Sequence, residues 1–367
     1  MSDITFQPDW FSTPGDTLLA LMEERELSAE ALAARIGCRE STVRGLLSGT
    51  AFIDDKLASR LAQHVGGTST FWLNRQSKYV AALTRAANAI PEDVGSEWVK
   101  QFPHSDVVNF GWMDRKIERN ELMAAYLAYF GVNSPSEWAD RYASFSKDTA
   151  FRTSPTFKSK LGAISTWLRQ GEIEASGIHC GQWNSALLKD RLHEMRVLTK
   201  AKRPAYFLPR LQRICAENGV ALVFVRAPSG CSASGATRFV SSNKAMMILS
   251  FRYLSDDHFW FTFFHELGHL LLHSKKLTFV DGEAGITDEA EQEANTFSAE
   301  VLVPSCRRDE MMDLPPRRDA IIRFAYSVGV APGIIVGQMQ HHQILTRNRM
   351  NFLKRRFDWD QISEATG

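Results

Sequence analysis

Residues 259–273 read FWFTFFHELGHLLLH. Phe259, Trp260, Phe261, Phe263, Phe264, Leu267 and Leu270–Leu272 leave no polar side if this run is a helix, and a helix that is apolar all round is a buried one. The chain must therefore enclose this segment, and with it His265, Glu266 and His269. A buried carboxylate beside two buried imidazoles needs partners to offset its lost hydration, and a metal ion is the natural partner.

His265 and His269 stand at i and i+4, one turn apart on one face of a helix. Two imidazoles so placed can reach one Zn²⁺. Glu266, next to the first of them, is placed to act as general base on a water at that metal. A catalytic zinc takes three protein ligands and keeps one open position. His273 continues the same face, but about 12 Å of helix rise from His265 to His273 is too far for one ion to bridge. The third ligand is expected from the helix predicted in ITDEAEQEANTFSAEVLVP (286–304). There Ala290, Ala294, Phe297 and Val301 form the inward face and Glu293 lies on it; Glu291 is the competitor.

The remaining pattern places this segment in a mainly α protein with a small β-sheet, an α+β fold. Short helices are expected from residue 15 to about 90, with Ser28 as an N-cap, a turn at Gly37 and a stop at Gly49. Residues 91–205 read as a helical linker or scaffold in which Trp98, Trp112, Trp138, Trp167 and Trp183 pack a core and Pro91, Pro103, Pro135 and Pro155 punctuate. Beyond 206 come a helix to Asn218, an apolar β-branched strand ALVFV (221–225), a Gly/Ser-rich loop, strands at Arg238–Val240 and AMMILS (245–250), and the apolar helix. A loop with Gly282 and Gly285 precedes the helix of 288–303, and helices near 317–328 and 332–345 follow. Three regions result: 1–90, 91–205 and 206–367.

Lys+Arg 43 against Asp+Glu 42 exclude a chain-wide polyanion binder without excluding a local nucleic-acid surface. Five scattered cysteines with no CxxC pair argue against a disulfide framework and for a reducing cytoplasm. The opening MSDITFQPDW lacks a basic segment followed by an apolar core, so no signal peptide is expected, and no stretch is apolar and long enough for a membrane span.

HELGH followed by EQEANTFSAEVLVP resembles the ImmA/IrrE family of metallopeptidases over roughly residues 205–345. Ser298 stands where that family usually has Ala. The resemblance implies that the Glu before Ala-Asn, here Glu293, binds the metal. It also implies a cytoplasmic, site-specific endopeptidase acting on transcriptional repressors, and a strand before the zinc helix, here AMMILS, that lines the cleft and pairs with an extended substrate. Arg252, Tyr253 and His258 are near enough in sequence to be considered as oxyanion stabilisers.

Ala31–Ser48 has helix-turn-helix spacing, with Ala33 small at the helix contact, Gly37 at the turn, and Val43 and Leu46 inward. Arg39, Ser41, Thr42 and Arg44 would face outward, toward phosphates and base edges. With FIDDKLASRLAQHVGGTSTFWLNRQSKYVAAL the stretch resembles HigA-like antitoxins of the XRE family over residues 10–85, with Trp72 and Tyr79 in the closing helix. Glu23, Glu24, Glu26, Glu30, Glu40, Asp54 and Asp55 dilute the basic character, so a small protein-binding or dimerisation domain is the bland alternative. A second helix–Gly329–helix stretch, 319–340, is poor in Lys and Arg and reads as packing.

Two functions from different classes remain. One is a DNA-docked zinc endopeptidase that cleaves a partner regulator or antitoxin, bound to an operator as a possible homodimer. The other is an antitoxin-like regulator that represses its own operon and neutralises a toxin, with a sensory or inactive peptidase domain.

Overall fold

A computed structural model describes residues 12–118, 120–148, 161–277 and 288–366. The expected loop at Gly282 and Gly285, and Pro155, lie outside the described residues. The fold is mainly α with one small sheet. The chain divides into two compact units: Met1–Tyr142 with Glu172–His179, and Ala143–Gly171 with Cys180–Gly367. The stretch 91–205, expected as one scaffold, is thus shared between them.

The first unit begins with α1 (Pro14–Glu24), α2 (Ala29–Ile36), α3 (Glu40–Ser48), α4 (Asp55–His64) and α5 (Ser69–Ala89). Their ends follow from local chemistry. Thr13 and Asp16 exchange side-chain and backbone bonds in a capping box at α1, and Ser28 Oγ and Asp54 Oδ1 each accept an N–H bond from the first turn of α2 and α4. Gly37 closes α2 in the left-handed region at φ 62, where a side chain would be strained. Leu18, Met22, Leu32, Val43, Leu46, Leu61 and Trp72 form the core of these helices. Next come α6 (Glu92–Val99), α7 (His104–Asn109), α8 (Leu122–Phe130) and α9 (Pro135–Asp148), packed around Trp98, Phe102, Tyr126, Phe130 and Trp138. Trp98, Trp138 and Trp167 are buried as expected, whereas Trp112 and Trp183 are only half-buried.

After α10 (Leu161–Ser176), α11 (Ser185–Asp190) and α12 (Leu192–Leu198), α13 (Pro204–Glu217) leads to β1 (Val220–Phe224), β2 (Gly235–Ser241) and β3 (Lys244–Leu249). The sheet order is β1-β3-β2, with β3 parallel to β1 and antiparallel to β2. This corrects the expectation that AMMILS receives a substrate strand. That segment is the central strand, its backbone groups already paired on both sides; β1 and β2 are the edge strands among the described residues, and β2 is the one beside Glu266.

The apolar segment forms α14 (Asp256–Leu277), followed by α15 (Asp288–Leu302), α16 (Arg308–Met312), α17 (Arg318–Val328), α18 (Pro332–His341) and α19 (Trp359–Thr366). Trp260, Phe263, Phe264, Leu267 and Leu270 are all fully buried, in one core with β1, β3, α13, α17 and α18. The 319–340 stretch thus packs as expected. Among the described residues no single helix is long and apolar enough to cross a membrane.

α14 and α15 lie close because Gly268 has no side chain: a Cβ there would stand 3.0 Å from Phe297 Cδ1 and 3.3 Å from Ala294 Cα. Ser298 sits fully buried in this interface and donates to the carbonyl of Phe261 at 2.8 Å. The buried hydroxyl is therefore satisfied across the two helices.

Candidate metal centre

α14 carries His265, Glu266 and His269 into the interior, each at most 1% exposed. Helical spacing brings the two imidazoles together, with Nε2 atoms 3.1 Å apart. α15 closes the third side. Glu291 Oε2 lies 3.3 Å from His265 Nε2, and its Oε1 3.3 Å from His269 Nε2. Among the described residues these three form the one group whose ligand atoms converge as a metal site requires.

Expectation favoured Glu293 for this position. The structure instead brings Glu291 to the imidazoles and directs Glu293 to His273, with Oε2 2.7 Å from Nε2. The reason is the rotation of α15. Its buried stripe runs Ala290, Ala294, Ser298, Leu302, and position 291 flanks it beside α14. Position 293 turns out toward solvent, with 54% of its side chain exposed.

The arrangement fits a zinc ion on three counts. First, four ligands about 2.0–2.1 Å from a tetrahedral ion stand about 3.3 Å from one another, which is the spacing found here. A charge-assisted hydrogen bond would be nearer 2.8 Å. Second, His265 Nδ1 lies 3.1 Å from Asn295 Oδ1, a carbonyl-type acceptor, so the ring proton sits on Nδ1 and Nε2 presents its lone pair inward. Third, Glu291 sets a carboxylate oxygen against each imidazole Nε2, and two imidazole nitrogens with one carboxylate are a donor set that zinc accepts. Lone pairs and a negative carboxylate facing one another call for a cation between them.

Glu266 lies beside this group and is held from β2. Thr237 Oγ1 donates to Glu266 Oε2 at 2.9 Å, and a Cβ on Gly235 would fall 2.5 Å from Oε1 and 2.6 Å from Cγ. Edge strand and carboxylate are therefore in direct register. Neither Thr237 nor Asn295 was singled out from sequence. Asn295 has a local signal, since it follows Glu291 by one helical turn; Thr237 has none.

His273 lies outside the converging group; its Nδ1 touches Nδ1 of His269 at 3.3 Å. Arg252 donates to the carbonyl of Ser232, and the rings of Tyr253 and His258 pack at a tilt of 33° with centroids 4.2 Å apart. Those contacts give the three no link to the imidazoles. In the first unit Arg39 and Ser41 are exposed, Thr42 is half-buried, and Arg44 is tied to Glu40 of its own helix at 2.5 Å.

Residues 220–328 match the Peptidase_M78 family model, described as an IrrE N-terminal-like domain. The match spans β1 through α17 and contains every residue of the centre. It suggests a metallopeptidase of the ImmA/IrrE type for this part of the chain. Neither curated proteins nor solved structures yield a match.

Proposed function

We propose that the segment homologous to the IrrE-like domain is a zinc endopeptidase in which His265, His269 and Glu291 hold the metal and Glu266 is the general base. The single observation that carries this reading is the convergence of two buried imidazoles and the partly exposed Glu291 carboxylate at tetrahedral spacing with a separately held carboxylate beside them. A bound zinc supplies Lewis acidity there, lowering the pKa of water and polarising a carbonyl.

The chain's own residues do the rest. Asn295 fixes the His265 ring. Glu291 balances charge. Thr237 and Gly235 define where the Glu266 carboxylate stands. Glu266 accepts a proton from the attacking water as its oxygen bonds to the scissile carbonyl carbon, then delivers that proton to the departing amine nitrogen as the C–N bond breaks. Burial keeps bulk water out and strengthens each of these interactions. An extended substrate would pair with the open edge of β2, beside Glu266, with backbone hydrogen bonds supplying affinity.

The substrate class proposed is a partner regulator or antitoxin in the cytoplasm. Residues 1–90 would bring the enzyme to an operator as a homodimer, through Arg39, Ser41 and Thr42; the Glu40 ion pair makes Arg44 the weakest of the four expected contacts. A constructed cradle for Glu266 favours enzyme over inactive clamp, because a pure scaffold has no need of it. Glu266→Gln tests this directly. It should retain zinc and lose cleavage by about 10²–10⁴-fold; wild-type biological effect in that variant would sustain the antitoxin-like regulator instead.

A further inference from the structure

α14 carries a third imidazole that stands outside the ligand group and yet touches it. His273 is 6% exposed, one turn beyond His269. Its Nδ1 lies 3.3 Å from His269 Nδ1, and its Nε2 lies 2.7 Å from Glu293 Oε2. Building on the zinc reading above, we infer that Glu293 and His273 are positioning residues that fix the ring and the tautomer of His269, so that its Nε2 faces the metal with a lone pair.

Proton bookkeeping follows from the ends of the chain. An ionised carboxylate only accepts, so the short contact to Glu293 requires a proton on His273 Nε2. A neutral imidazole protonated there has a bare Nδ1. That atom accepts from Nδ1–H of His269, which leaves His269 Nε2 bare and aimed at His265 and Glu291. With His273 neutral, the opposite arrangement would put a proton on the metal-facing nitrogen of His269 and leave the 2.7 Å contact without a donor.

The two ligand rings are thus steered by different devices. His265 leans on an amide oxygen, whereas His269 leans on a second ring backed by a carboxylate. A carboxylate behind a ligand imidazole makes the ring a stronger donor as well as a better-oriented one, and such partners are worth about 10–100-fold in metal affinity. Here that influence is relayed through His273. Glu293, absent from the triad, acquires its function one shell further out, at the solvent boundary.

The test uses the full-length chain labelled with ¹⁵N-histidine, metal-free and during zinc titration against a competing chelator. In the metal-free wild type the His269 ring nitrogens should report the Nδ1–H tautomer. His273→Phe should change that signature to a mixture and weaken zinc binding about 10–100-fold, and Glu293→Gln should move both in the same direction, by about tenfold in affinity. Circular dichroism verifies folding. If the buried His273→Phe variant fails to fold, Glu293→Gln at its half-exposed position decides alone. Variants with wild-type zinc affinity and an unchanged His269 signature would overturn the inference. A wild type that binds no zinc would instead sink the proposed function, and the tautomer comparison in the metal-free chain would still decide the inference.

Discussion

A single methyl group on Gly235 should separate base catalysis from metal binding. At that position a Cβ would lie 2.5 Å from Glu266 Oε1, 2.6 Å from its Cγ and 2.8 Å from its Cδ, and these are the three nearest atoms. Carbon atoms pack at about 3.5–4.0 Å, so Gly235→Ala requires the Glu266 side chain to retreat by about 0.9 Å. The retreat also strains the bond from Thr237, which holds the other carboxylate oxygen at 2.9 Å. A misplacement of about 1 Å costs about 10²-fold in rate, equivalent to about 2.7 kcal/mol in the barrier. Stability should fall by about 1–3 kcal/mol from overpacking. Zinc should stay, because the three atoms nearest the methyl all belong to Glu266 and none to His265, His269 or Glu291. The assay is initial rate on a quenched fluorescent peptide selected from a mixed library, alongside zinc content by atomic absorption. Wild-type turnover with full metal content would refute the placement of Glu266 at the reacting atoms. Loss of metal together with activity would show that Gly235 serves the site's architecture rather than the base.

Glu291→Gln should release zinc on dialysis while the folded chain persists; full zinc retention would return the third-ligand role to Glu293. Arg39→Ala should weaken operator binding and lower the slope of log affinity against log salt by about 1, and affinity indifferent to salt would dismiss the DNA reading. Asp256 opens α14, and burial together with the neighbouring Asp257 pushes its pKa up from 3.8 to about 7. The folded chain then holds a proton that the unfolded chain releases, so this group's contribution is fully present below about pH 4 and is lost as pH rises toward 7. At about 1.4 kcal/mol per unit, Asp256→Asn should gain on the wild type by on the order of 4 kcal/mol between pH 4 and 8 in urea denaturation; a constant difference would exclude it.

What could be read from the chain alone was whatever is decided within one turn or one strand. The His265–His269 pair is of this kind: 3.6 residues per turn sets both rings on one face whatever surrounds them. So are the Ser28 cap, the left-handed Gly37 and the three strands, because their determinants are neighbours in sequence. The rotation of α15 was not. Glu291 and Glu293 differ by more than half a turn, and the choice depended on the inner stripe. Ser298 belongs to that stripe, but a serine reads as an outward residue until the Phe261 carbonyl across the helix pair accounts for it. The order of the sheet was equally out of reach, since a strand's pattern reveals burial and not which neighbours it has; β3 proved central, with β1 and β2 at the edges. Thr237 meets Glu266 across 29 residues and Asn295 meets His265 across 30. Local pattern supplied two imidazoles and a carboxylate on one buried helix. Only packing decided which acid completes them, which strand cradles the base and which partners turn the rings, because each of those depends on the relative placement of elements that no local periodicity encodes.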